Sequence, residues 1–162
     1  MYSYNTPQYA RGWGWIWERY FDLIQPLATA LPLMVTVGNH EIDSSANHEL
    51  DMTGGDSGGE CGVATLKRFP YLGPDVEKMW YSFDYGSVHV VMLSSEHPTA
   101  PQVAFFQNDL AQVNRSATPW VLALLHRPPF ASVNKNSSIS DELAAAWHPL
   151  FVEAGVDMAS RS

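Results

Sequence analysis

The sequence predicts an α/β fold, a mixed β-sheet flanked by helices. Three observations carry this. Apolar runs at 33–37, 88–93 and 120–125 read as buried strands. Each ends in a polar tip: Gly38-Asn39-His40-Glu41, Ser94-Ser95-Glu96-His97 and His126-Arg127-Pro128-Pro129. Segments of helical period alternate with the strands. In open α/β sheets the carboxyl ends of strands are where sites are built, so three polar tips on one edge would converge there.

The elements follow in order. Residues 13–28 place Trp13, Ile16, Trp17, Tyr20, Ile24 and Leu27 three to four apart, the spacing of one helix face. Pro32 separates this helix from the strand at 33–37. Residues 44–62 are polar and Gly-rich without periodicity and read as a long loop, a length usually kept for function or left disordered. Residues 80–85 alternate and read as a strand, Gly86 as a turn, and 88–93 as the returning strand. Residues 102–114 are helical, with Val103, Phe106, Leu110 and Val113 on one side. After Pro119 comes the strand at 120–125, then a helix at 140–154 and a last strand beginning at Gly155.

A chain of 162 residues with 46% hydrophobic content is long enough for one domain with a real core. Six Trp predict large side chains in the core or lining a groove. A net charge of −8 without a basic patch argues against a nucleic-acid partner. No apolar run reaches the roughly 18 residues of a membrane span, so none is expected. Residues 1–7 lack a basic-then-apolar pattern, so no signal peptide is expected there. The single Cys61 rules out an intramolecular disulfide. Asn114-Arg115-Ser116 and Asn136-Ser137-Ser138 are N-glycosylation sequons at Asn114 and Asn136. Gly55-Asp56-Ser57-Gly58-Gly59 matches the stretch around a trypsin-like serine nucleophile, but one helix and one strand upstream cannot supply the barrel that carries the partner His and Asp.

The chemistry of the tips points to a metal. An Asn carbonyl can ligate a hard cation, and a His can hold a phosphate oxygen or carry a proton. Asn and His together favour iron, zinc or manganese. Trp15-Ile16-Trp17-Glu18, Gly38-Asn39-His40-Glu41, Asp56-Ser57-Gly58-Gly59-Glu60-Cys61-Gly62-Val63, Trp80-Tyr81-Ser82-Phe83, Ser95-Glu96-His97, Thr118-Pro119-Trp120 and His126-Arg127-Pro128 occur in this order. That series resembles the plant-type purple acid phosphatases, within the calcineurin-like metallophosphoesterases.

The resemblance implies a metallophosphoesterase sandwich over residues 1–162, incomplete at both ends, that hydrolyses phosphate monoesters at acid pH. It implies a dinuclear centre of Fe(III) beside Zn, Mn or Fe(II). Asn39 and His126 match ligands of the divalent metal, and Tyr9 matches the ligand of the ferric ion. His40 matches the catalytic residue that contacts the substrate phosphate. Glu41, Glu96, His97 and Arg127 would support these groups from behind, and Asp56, Glu60 and Cys61 would organise the long loop. A secreted or vacuolar glycoprotein, with a homodimer as partner, belongs to the same resemblance. The chain departs from the family at three places. Asp-x-Gly would precede residue 1, Asn5 and Thr6 stand where Gly and a bridging Asp belong, and residues 159–162 are Ala-Ser-Arg-Ser where Gly-His-x-His is expected. The alternative expectation is therefore a truncated, non-catalytic product of such an enzyme. A binding module carried by the aromatic N-terminal helix is a further alternative.

Overall fold

The computed structural model describes residues 14–42, 62–129 and 138–161. A helix α1 (Gly14–Ala28) leads to a one-turn helix α2 (Asn39–Ile42), a short helix α3 (Val63–Arg68) and a 3-10 turn (Pro70–Leu72). There follow β1 (Tyr81–Tyr85), β2 (Val88–Met92), α4 (Thr99–Leu110), β3 (Trp120–Leu125), α5 (Ser138–Glu153) and β4 (Met158–Arg161).

The strands form one sheet in the order β1-β2-β3-β4. β1 and β2 are an antiparallel hairpin, closed by Gly86 at φ 60°, a left-handed value that glycine adopts without strain. β2 to β3 and β3 to β4 are parallel, and each connection carries a helix. The sheet is thus mixed, as expected. Because β2 and β3 point the same way, their C-terminal ends bring residues 94–97 and 126–129 to the same edge.

Packing explains the elements. Alternate residues Val91 and Leu93, Ala123 and Leu125 place one sheet face against α4 and α5, which contribute Phe106, Leu143, Trp147 and Phe151. Trp147 and Phe151 stack at 5.6 Å, and Phe106 meets Trp147 edge-on at 5.7 Å. Four of the five β2 residues are buried, the pattern of a central strand covered on both faces. A second cluster gathers Val37, Phe69, Leu72 and Met79 with Trp17, Tyr20 and Phe21 of α1.

Four expectations need correction. Residues 33–37 are extended but do not join the ladder. Hydroxyl groups take their carbonyls instead: Tyr71 donates to Leu33 O and Tyr81 to Val35 O, both at 2.7 Å. The Thr36 hydroxyl ties the segment to Leu93 O at 2.9 Å. On α1, Leu27 is 54% exposed and Phe21 packs in its place, because the buried stripe drifts around the helix. α4 runs Thr99–Leu110, starting right after Pro98 and stopping before residue 113. Residues 155–157 form a turn, and the last strand starts only at Met158. The expected long loop, with Asp56, Glu60 and Cys61, lies outside the described residues.

Candidate functional site

Gly38 organises the first tip. Its N–H donates to Glu41 Oε2 at 3.2 Å, and its carbonyl accepts the N–H groups of Glu41 and Ile42, both at 3.1 Å. That single turn aims Asn39 at the end of β3. A Cβ on Gly38 would lie 2.8 Å from Glu41 Oε2 and 3.0 Å from the His126 ring, so no larger residue leaves this geometry intact. Asn39 Oδ1 and His126 Nε2 meet at 2.9 Å, although 87 positions separate them in sequence. Nε2–H donates and the amide oxygen accepts in this arrangement.

The second and third tips are joined by a part-buried ion pair, in which Glu96 is the buried member. Arg127 Nε donates to Glu96 Oε1 at 2.8 Å, and its terminal nitrogen to Oε2 at 3.1 Å. This is the two-pronged pairing that Arg makes with carboxylates. Ser95 Oγ donates to Glu96 Oε1 at 2.8 Å and accepts the Arg127 N–H at 3.0 Å. Behind them, Ser94 Oγ and His97 Nδ1 lie 2.7 Å apart, and His97 Nε2 donates to Val76 O at 2.8 Å. Gln102 closes the loop by bonding both the N–H and the carbonyl of Ser94 at 2.8 Å. Both nitrogens of His97 are thus committed to the scaffold.

A cavity of about 660 Å³ opens over the tips. Its lining includes the polar side chains of Asn39, His40, Glu41, His126 and Arg127 and the rings of Trp17, Tyr20 and Phe69. Glu96 and His97 do not line it. Burial, with the Glu41 carboxylate close by, pushes the Tyr20 phenol above its ordinary value, so it stays a neutral hydroxyl. Thr65 is also among the lining residues, and its buried hydroxyl has no hydrogen-bond partner among the described residues.

Of the residues singled out in the sequence, the structure brings Asn39, His40, Glu41, His126 and Arg127 together. It sets Glu96 one step behind and keeps His97 in the scaffold. Tyr9 and Asn136 lie outside the described residues. Asn114 sits in an exposed turn, its Oδ1 accepting the Ser116 N–H at 3.0 Å. Sequence reasoning missed Ser95, Thr65 and Phe69 as parts of the site. It placed Trp17 and Tyr20 on a helix face without seeing that the face borders the cavity.

The donor set tests whether metals fit. Two donors 2.9 Å apart have the separation of neighbouring ligands on one cation with bonds of about 2.1 Å at a right angle. Once Nε2 gives up the proton it shares with the amide oxygen, Asn39 and His126 therefore fit two positions of a single divalent ion. Among the described residues, no group of three or more His, Cys, Asp or Glu could hold a metal. A dinuclear centre does not fit the described residues.

The sequence pattern of the family described as "Calcineurin-like phosphoesterase" matches residues 8–160. "Probable inactive purple acid phosphatase 9" of Arabidopsis thaliana is 36% identical, over 93% of this chain and 26% of that protein. "Purple acid phosphatase 18" of the same plant is 32% identical, over 88% of this chain and 32% of that protein. The structure of purple acid phosphatase PPD1 from yellow lupin (Lupinus luteus) seeds superposes with a TM-score of 0.80 at 31% identity, covering 95% of this chain and 28% of the lupin chain. The chain thus spans about a quarter to a third of the length of these relatives.

Proposed function

The chain belongs to the calcineurin-like phosphoesterase family, and on that premise we propose that its cavity is a phosphate-ester site serving the hydrolysis of phosphate monoesters at acid pH. The observation that carries this is the Asn39–His126 pair, held at 2.9 Å beside His40 and Arg127 on the C-terminal edge of the sheet. Held by Asn39 and His126, a single divalent cation would polarise a phosphoryl oxygen and make bound water acidic. The residues themselves do the following. Asn39 and His126 offer an amide oxygen and a ring nitrogen to one cation. His40 contacts a phosphate oxygen. The Arg127 guanidinium, fixed by Glu96, adds a positive wall to the cavity. Tyr20 keeps its proton and borders the site as a neutral group. A secreted or vacuolar location, with a glycan on exposed Asn114, belongs to the same reading.

A second reading, phosphate-ester binding without turnover, is favoured by the donor set, which falls short of two metals among the described residues. Metal analysis of the purified chain, with hydrolysis of a chromogenic aryl phosphate at acid pH, separates the two. Bound metal with turnover that Asn39→Ala and His126→Ala abolish supports the hydrolase. Little metal and no turnover, with phosphate still bound, supports the second reading.

A further inference from the structure

We propose that Thr36 is a positioning residue of the site: its hydroxyl fixes how far Asn39 stands from His126, and so how well the pair holds a divalent cation. The cation rests on the reading above. The placement of the two side chains does not, and it can be measured without metal.

No backbone ladder among the described residues joins the segments that carry Asn39 and His126. Residues 33–37 pair with no described strand, so regular pairing does not set their position along the sheet. Side-chain hydroxyls do. Those of Tyr71 and Tyr81 reach the carbonyls of Leu33 and Val35, on the far part of the segment from Asn39. The Thr36 hydroxyl works nearer the site and donates to Leu93 O at 2.9 Å. Leu93 N–H in turn donates to Leu124 O at 2.9 Å. Thr36 stands three residues before Asn39, and Leu124 two before His126. Two hydrogen bonds thus run from one half of the pair to the other, through the residue that follows β2. The Asn39–His126 contact at 2.9 Å closes the ring.

This ring has little slack. Val37 and Leu125, on the way to the two side chains, are fully buried. The His126 ring lies 3.0 Å from where a Cβ on Gly38 would stand, so the first tip already rests against it. A hydroxyl-to-carbonyl bond holds its two atoms within a few tenths of an ångström of about 2.8 Å. Ligand groups must be held to about 0.5 Å, so one such bond is enough to decide whether they are. Thr36 itself borders the cavity, which puts the bond beside the site and not deep in the core.

The 162-residue chain is compared with Thr36→Val, Thr36→Ser and Tyr71→Phe by NMR without metal and by calorimetry with zinc. The unsubstituted chain should show a nuclear Overhauser contact between the Asn39 side-chain amide and the His126 ring. Thr36→Val removes the hydroxyl at nearly constant volume and is expected to lose that contact and about tenfold in zinc affinity, the scale of losing a group that orients a metal ligand. Thr36→Ser restores the hydroxyl and should keep both. Tyr71→Phe takes a hydroxyl bond from the same segment and is expected to lower stability while leaving the contact and the zinc affinity unchanged. In the unsubstituted chain, the Leu93 carbonyl carbon should shift as zinc binds and the Leu33 carbonyl carbon should not, a readout that holds even where Thr36→Val fails to fold. Retention of contact and zinc affinity in Thr36→Val, their equal loss in Tyr71→Phe, or an unmoved Leu93 carbonyl in the zinc-bound chain overturns the proposal. A chain that binds no zinc overturns the cation reading, and the metal-free contact still decides the role of Thr36.

Discussion

Glu96 shows how a single residue supports the site without touching it. It is 7% exposed, and its carboxylate accepts both prongs of Arg127 and the Ser95 hydroxyl. Removing one member of a buried ion pair leaves the other desolvated and is costly, whereas the intact pair contributes little on balance. Glu96→Ala is therefore expected to cost on the order of 3 kcal/mol in urea unfolding. Glu96→Gln, which keeps the shape and one acceptor, should cost clearly less. Thr65 behaves oppositely. Among the described residues its hydroxyl has no partner, so Thr65→Val removes an unmet polar group at nearly constant volume and should stabilise by about 1 kcal/mol in the same assay. At this scale the sequence was partly legible. Asn39, His40 and His126 stood out by type and by their place at strand tips as candidates for metal and phosphate chemistry. Thr65 and Ser95 were invisible, because a hydroxyl gains its meaning only from what lies within about 3 Å of it.

Among the elements, the segment at 33–37 is the instructive one. Its apolar run reads as a strand, yet the described chain gives it hydroxyl partners in place of a ladder. Tyr81 carries much of that attachment. Burial, and to a lesser extent nearby Tyr71, push its phenol well above the ordinary value of 10.0. The unfolded chain releases this proton near pH 10 and the folded chain holds it. Above about pH 10 the unfolded state therefore binds fewer protons, and stability falls as pH rises. The contribution is fully present below that value. Urea unfolding across this range should show a steep alkaline loss that Tyr81→Phe reduces. At neutral pH the same variant should cost about 1 kcal/mol, because the Val35 carbonyl loses its partner. Strands β1, β2 and β3 were legible from their alternation and apolar runs. The limits of α4 were not, since a helix stops where packing ends, and the Phe106 face meets the sheet only as far as Leu110.

For the whole molecule, the sheet sets a hierarchy of order. Among the described residues, β2 and β3 have strand neighbours on both sides, whereas β1 and β4 are edges. Native-state hydrogen exchange should find the β2 and β3 amides slowest, with α1 exchanging sooner because much of its surface is exposed. Fast exchange at β2 would mean that the Phe106–Trp147 cluster does not form the stable centre. Family membership, the mixed α/β class and the polar strand tips could all be read from the linear sequence. They depend on residue type, local period and the order of short motifs, which survive without knowledge of what packs on what. The tertiary structure alone decided the rest: that Asn39 meets His126 across 87 positions, that Glu96 serves Arg127 while His97 faces the scaffold, and that Trp17 and Tyr20 wall the cavity. The reason is physical. Hydrogen bonds and ring contacts act over a few ångströms, so these partnerships exist only after parallel strands bring distant residues to one edge.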